Sequence, residues 1–98
     1  MLYVVRFVDR PDRLATRNAQ LAAHIEWLDR HRDRVLVAGS LRPEPGADPV
    51  GGLWIVEAGS RDEVDALFRS DPFWVHGLRA SHDIWFWSKA FPDRRVPV

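Results

Sequence analysis

The hydrophobic pattern of this chain switches between strand-like and helix-like spacing, and each switch marks an element. Leu2-Tyr3-Val4-Val5-Arg6-Phe7-Val8 is β-branched and aromatic and stops at Asp9-Arg10-Pro11-Asp12, which predicts a strand and then a turn. From Arg13 to Asp33 the period becomes helical: Leu14, Leu21, Ile25 and Leu28 fall in one narrow arc, the expected buried stripe. Val35-Leu36-Val37-Ala38 reads as a second strand closed by Gly39-Ser40, and Arg42–Pro49 is a loop rich in helix and strand breakers. Gly52–Glu57 gives a third strand. Ser60, with Glu63 three residues on, is a capping-box signature for a second helix that carries Val64, Leu67 and Phe68 and stops near Ser70-Asp71-Pro72. A short helical turn through Phe73, Trp74 and Val75 ends at Gly77. Ser81–Lys89 makes a fourth strand, with a tail from Phe91.

With no internal repeat and no linker, residues 1–98 form one domain in the order β-α-β-β-α-β. That order fits an α+β, ferredoxin-like sandwich: a four-stranded antiparallel sheet with both helices on one face. Alternation in the last strand sends Ile84 and Phe86 to one side and Trp85 and Trp87 to the other. Both sides are bulky and apolar, so both faces of the sheet should be covered. Two helices cover only one, so a homodimer pairing its sheets face to face is expected.

Composition narrows the function. Fourteen basic residues balance fourteen acidic ones, so no net field draws the chain to nucleic acid or to an anionic membrane. The absence of cysteine excludes disulfides and a thiol nucleophile. The apolar opening is broken by Arg6, too early for a signal peptide or a membrane span, which makes a cytoplasmic location the expectation.

The candidate chemistry centres on His24. With Leu21 as zero on the helical wheel, Leu28 falls at about −20°, Ile25 at about +40°, Arg17 at about −40° and His24 at about −60°. Arg17 and His24 thus share one shoulder of the expected stripe, two turns apart, where a fixed cation would suit an anionic substrate group. Asp71 precedes Pro72, a turn starter, and can simply cap the following short helix. Alternatively it reaches a ring nitrogen of His24, fixing the tautomer while the other nitrogen faces a pocket. Ser40 either donates a hydrogen bond there or ends its strand. The tryptophans, Trp74 among them, can stack a planar ligand or fill the core. Metal binding has little support, since His24 and His31 lie about 10.5 Å apart along a helix. There is no phosphate-binding glycine loop.

These pieces in this order resemble the YciI-like (YCII-related) family of the dimeric α+β barrel superfamily. The likeness rests on Leu2-Tyr3-Val4-Val5, the helix pattern Arg17…His24-Ile25-x-x-Leu28, Ala38-Gly39-Ser40, Asp71-Pro72-Phe73 and Gly77. It implies a ferredoxin-like subunit, a dimer, and a site built on the residues matching His24 and Asp71. Many relatives carry proline where this chain has Ser40, so a role for that hydroxyl is not implied. The expected function is that of a small cofactor-independent enzyme. His24 is its acid or base and Asp71 the orienter, while Arg17, Ser40 and Trp74 line a pocket for a small, aromatic or carboxylated metabolite. A lyase- or isomerase-like proton transfer suits this equipment. The alternative is a non-catalytic ligand-binding or accessory module.

Overall fold

The computed structural model describes residues 1–95. Strands β1 (Leu2–Asp9), β2 (Val35–Leu41), β3 (Gly51–Glu57) and β4 (Arg79–Trp87) form one sheet in the order β2-β3-β1-β4, every neighbour antiparallel. Helix α1 (Leu14–Arg30) links β1 to β2. After β3 come α2 (Arg61–Leu67), a 3-10 turn (Phe68–Ser70) and the four-residue helix α3 (Pro72–Val75). This is the ferredoxin-like βαββαβ subunit of the α+β barrels.

Strand alternation builds the core. Tyr3, Val5 and Phe7 from β1 and Trp54 and Val56 from β3 point the same way and pack against Trp27, Val64 and Phe68 from the helical layer. Phe7 packs edge-to-face on Trp54 within the sheet (4.9 Å) and on Phe68 of the helical layer (5.3 Å), the second contact tying the sheet to that layer. Ser60 caps α2 as its sequence suggests, its Oγ accepting from the Glu63 N–H at 3.2 Å, while Glu63 reaches back to the Gly59 N–H. The second helix itself stops at Leu67, the 3-10 turn taking the last three residues of the predicted span. Likewise α1 stops at Arg30, and a turn occupies residues 31–34.

One expectation needs correction. The buried face of α1 is not the Leu14–Leu21–Ile25–Leu28 arc: Leu21 and Ile25 are 44% and 54% exposed, whereas Arg17, His24 and Trp27 are buried. The helix is therefore rolled by roughly 80° from the roll its apolar residues suggest. The polar pair wins because each finds a buried carboxylate on the facing surface, which removes the penalty of burying it. Within one subunit the sheet is covered on its helical side only, the two helices lying on one face as expected. By register Trp85 lies beside Val4 and Trp87 beside Leu2 on the open side, and Trp85 is 61% exposed. Phe86, on the helical side, sits at an uncovered corner against the edge of Tyr3.

Gly51 starts β3 where the backbones of β1 and β3 approach closely, and a Cβ there would run into the carbonyl oxygen of Phe7. Gly51→Ala is therefore expected to lower stability by about 2 kcal/mol, within the range for overpacking, read as a reduced urea midpoint at unchanged m-value.

Candidate active site

The site forms where the middle of α1 meets the corner between the 3-10 turn and α3. Asp71 occupies that corner in an extended conformation (φ −65°, ψ 129°), which the following proline favours. Pro72 starts α3, where its missing N–H is no loss. Asp71 does both things its position allows. Its Oδ1 accepts the Phe73 N–H at 3.2 Å, capping α3, and accepts the His24 Nδ1–H at 2.7 Å. One turn along, Trp27 Nε1–H donates to Ser70 Oγ at 2.9 Å. The two bonds run side by side and fix α1 against the corner.

Asp71 is 1% and His24 6% exposed, so this hydrogen bond is shielded from water. The imidazole stacks on Phe73 with centroids 3.8 Å apart and planes 11° from parallel, and Trp54 lies beyond at 6.3 Å. With Nδ1–H given to Asp71, the lone pair is on Nε2, which makes no hydrogen bond among the described residues. His24 borders a cavity of about 300 Å³ whose walls include Arg17, Ser40, Gly52, Trp54, Phe73 and Arg79. Leu14, Leu21 and Ile25, the apolar residues that the helix does not bury, form its rim.

Beneath the cavity lies a second buried polar group. Asp9 Oδ2 accepts from Arg17 Nη2 at 2.6 Å and Nε at 3.2 Å, and its Oδ1 accepts from Arg79 Nη1 at 2.7 Å. Arg17 Nη2 also donates to the Gly51 carbonyl. Burial pulls the Arg79 guanidinium below its ordinary pKa, with Asp9 opposing the shift. The cation persists at neutral pH, since a guanidinium starts far above it. Phe73 joins the two halves: the guanidinium carbons of Arg17 and Arg79 stand 5.0 and 5.1 Å from its ring centre, on which His24 also packs.

Of the residues singled out from sequence, His24, Asp71, Arg17 and Ser40 converge here, but Arg17 is a structural ion-pair partner rather than a free shoulder cation. Trp74 does not line the cavity. Neighbours on a helix point about 100° apart, so with Phe73 turned to His24, Trp74 packs instead on Phe68 (5.0 Å) and His82 (5.3 Å). Trp54 provides the aromatic wall in its place. Asp9 and Arg79 were missed. Asp9 shares the inward parity of Tyr3, Val5 and Phe7, and that parity could have flagged it. Arg79 has no such signal: the register between β1 and β4 shifts after Val8, which places Arg79 opposite Asp9 against its strand's own alternation. Among the described residues no three His, Cys, Asp or Glu side chains cluster as metal ligands, and no helix is long and apolar enough to cross a membrane.

Fold and sequence together define the class. The YCII-related domain matches residues 1–88, and the chain belongs to that family. A similar solved structure is the 5-chloro-2-hydroxyhydroquinone dehydrochlorinase TftG from Burkholderia phenoliruptrix AC1100, in complex with 2,5-dihydroxybenzoquinone. It is 32% identical, over 90% of this chain and 94% of TftG, with a TM-score of 0.81. A Bacteroides thetaiotaomicron protein classed with the antibiotic biosynthesis monooxygenases shares the fold at 19% identity and a TM-score of 0.60, over 99% of this chain and 95% of its own. No curated protein matches the chain.

The Asp9 cluster makes a stability prediction with an order to it. Asp9→Asn leaves two cations facing each other in the interior and should cost about 3–5 kcal/mol, the range for breaking a buried pair. Arg17→Gln leaves Asp9 still paired with Arg79 and should cost less, about 1–3 kcal/mol. Urea unfolding of the two variants measures the order; a larger loss for Arg17→Gln would contradict it.

Proposed function

We propose that this protein is an acid/base catalyst of the lyase or isomerase type, acting on a small hydroxylated or carboxylated ring. The observation that carries this reading is the buried His24–Asp71 hydrogen bond, which leaves Nε2 as an acceptor at the cavity wall. Asp71 selects the tautomer and stabilises the imidazolium once a proton arrives. In the proposed step Nε2 takes the proton of a ring hydroxyl and the imidazolium returns it to the ring carbon that bears the leaving group, giving the keto tautomer with that carbon tetrahedral; for an isomerisation the step ends there. In the elimination Nε2 takes a second hydroxyl proton, whose O–H electron pair forms the second carbonyl while the ring electrons expel the leaving group as its anion, and the imidazolium releases that proton to water. Atoms and charge balance without an oxidant or a cofactor. Trp54 and Phe73 are planar walls suited to a ring. The likeness to TftG supports this choice of substrate class.

The assay is chloride release from 5-chloro-2-hydroxyhydroquinone. His24→Asn and Asp71→Asn should reduce turnover by about 10²–10⁴-fold, the usual contribution of a positioned acid or base. The thermal midpoint of Asp71→Asn should hold within a few degrees, because asparagine still caps α3; His24→Asn leaves the buried Asp71 carboxylate one partner short and should melt lower, so turnover is read where both variants are folded. Unchanged turnover in His24→Asn would remove the base. A wild-type protein that binds the ring without turning it over would return the cavity to a ligand-binding module.

We infer further that the working unit is a cytoplasmic homodimer joined through the open face of the sheet. Val8, Leu53, Trp85 and Trp87 are exposed side by side there, an apolar patch of the kind that marks a protein contact. The Arg6–Asp83 ion pair at its centre (2.7 Å) holds the Asp83 carboxyl below its usual range. That pair therefore persists above the ordinary carboxylate range and is lost only as pH falls through the lowered value. Sedimentation at micromolar concentration should give twice the 11.3 kDa chain mass, and Trp85→Glu should give monomer. A wild-type monomer would contradict the assignment.

A further inference from the structure

We propose that Arg79 is the anion-binding residue of this cavity, and that the ligand presents it an oxygen anion, an ionised ring hydroxyl or a carboxylate, over Gly52. The inference rests on the acid/base reading of the same cavity and names the chemistry of its ligand.

The two arginines at Asp9 are not equivalent. Arg17 turns the edge formed by Nε–H and Nη2–H onto Asp9, with a further bond to the Gly51 carbonyl. Arg79 gives Asp9 only Nη1. The matching edge of Arg79, the one that grips a carboxylate or paired oxygens, has no acceptor among the described residues, and its Nε is buried without a partner. The side chain is 3% exposed. A buried donor left unsatisfied carries a cost that native structures rarely accept without a ligand or function.

The free Nη2 end of the guanidinium borders the cavity beside Gly52. A Cβ at Gly52 would stand 3.4 and 3.5 Å from Nη2 and Nη1, in the space an oxygen bound at Nη2 would use. Charge points the same way. Two guanidinium groups share the one carboxylate of Asp9. Asp71 acts on Arg79 only through space, its hydrogen bonds going to His24 and the Phe73 N–H. Both His24 and Arg79 pack about Phe73, so an oxygen that loses its proton to Nε2 does so close to a guanidinium whose only hydrogen-bonded carboxylate is shared with Arg17. The arrangement stabilises the anion more than the neutral acid, which is the requirement for lowering the barrier to its formation.

Three probes test this by calorimetric titration: 2,5-dihydroxybenzoquinone for an ionised ring hydroxyl, benzoate for a carboxylate, and benzamide as a neutral ring. The wild type should bind one of the two anions at least about tenfold more tightly than benzamide, and which one identifies the oxygen source. Arg79→Gln should weaken that anion by about tenfold or more, the scale of one charge-assisted contact, and leave benzamide unchanged. An anion preference that survives in Arg79→Gln, or its absence from the wild type, overturns the inference. If Arg79→Gln does not fold, Arg79→Lys carries the test. It keeps a charge against Asp9 but has no second N–H edge, so a lost preference supports the inference and an unchanged one overturns it. His24→Asn separates the two proposals: if it keeps both the anion preference and full turnover, the base is wrong and Arg79 stands. If it loses turnover while Arg79→Gln binds normally, only Arg79 falls.

Discussion

Buried charge has to be balanced, and most of this structure follows from how that is done. Arg17 and Arg79 meet Asp9, and His24 meets Asp71, with the rings of Phe7, Phe73 and Trp54 packed against the arginines and the imidazole. None of these groups would be stable inside the domain alone, since an unpaired buried ion costs several kcal/mol. The chain therefore has to bring α1, the end of β1, the start of β4 and the α3 corner to one place. Arg17 and His24 both project from α1, two turns apart, so they set its roll and its position along the sheet. Trp27 bonding to Ser70 repeats the constraint one turn further on.

That constraint explains why the sequence is legible in some places and opaque in others. Strands, turns and the capped second helix follow from local rules of alternation, breakers and capping, and they lie within about three residues of where those rules put them, β4 running Arg79–Trp87 instead of Ser81–Lys89. The pairing of His24 with Asp71 was readable as a possibility because each residue is out of place locally: a histidine among apolar neighbours, an acid before a proline. The roll of α1 was not readable. A hydrophobic wheel assumes that apolar residues go inward, and here two polar residues with partners displace Leu21 and Ile25 to the cavity rim. Arg79 was hidden more completely, because its inward direction depends on a register shift between two strands whose paired residues lie seventy positions apart. Trp74 shows the opposite error: an aromatic residue next to the site in sequence is turned from it by one step of the helix.

The displaced apolar residues are themselves informative. Leu14, Leu21 and Ile25 surround the cavity mouth, and Trp85, Trp87 and Leu53 occupy the open face of the sheet. Both surfaces are hydrophobic for reasons the single subunit does not satisfy. The rim borders a concave space with polar groups at its base, the usual form of a small-molecule site. The sheet face is broad, with one ion pair across it, and suits a flat apolar partner.

Counting formal charges with His24 neutral, the two arginines and the two aspartates sum to zero. Moving a proton onto His24 makes the cluster a cation. In a low-dielectric setting that charge needs an anion close by, and the group that gave up the proton is the nearest source of one. This gives Asp71 and Asp9 different parts in the same balance. Asp71 holds the imidazole and meets its positive charge directly. Asp9 keeps two arginines folded inside while neutralising only one of them.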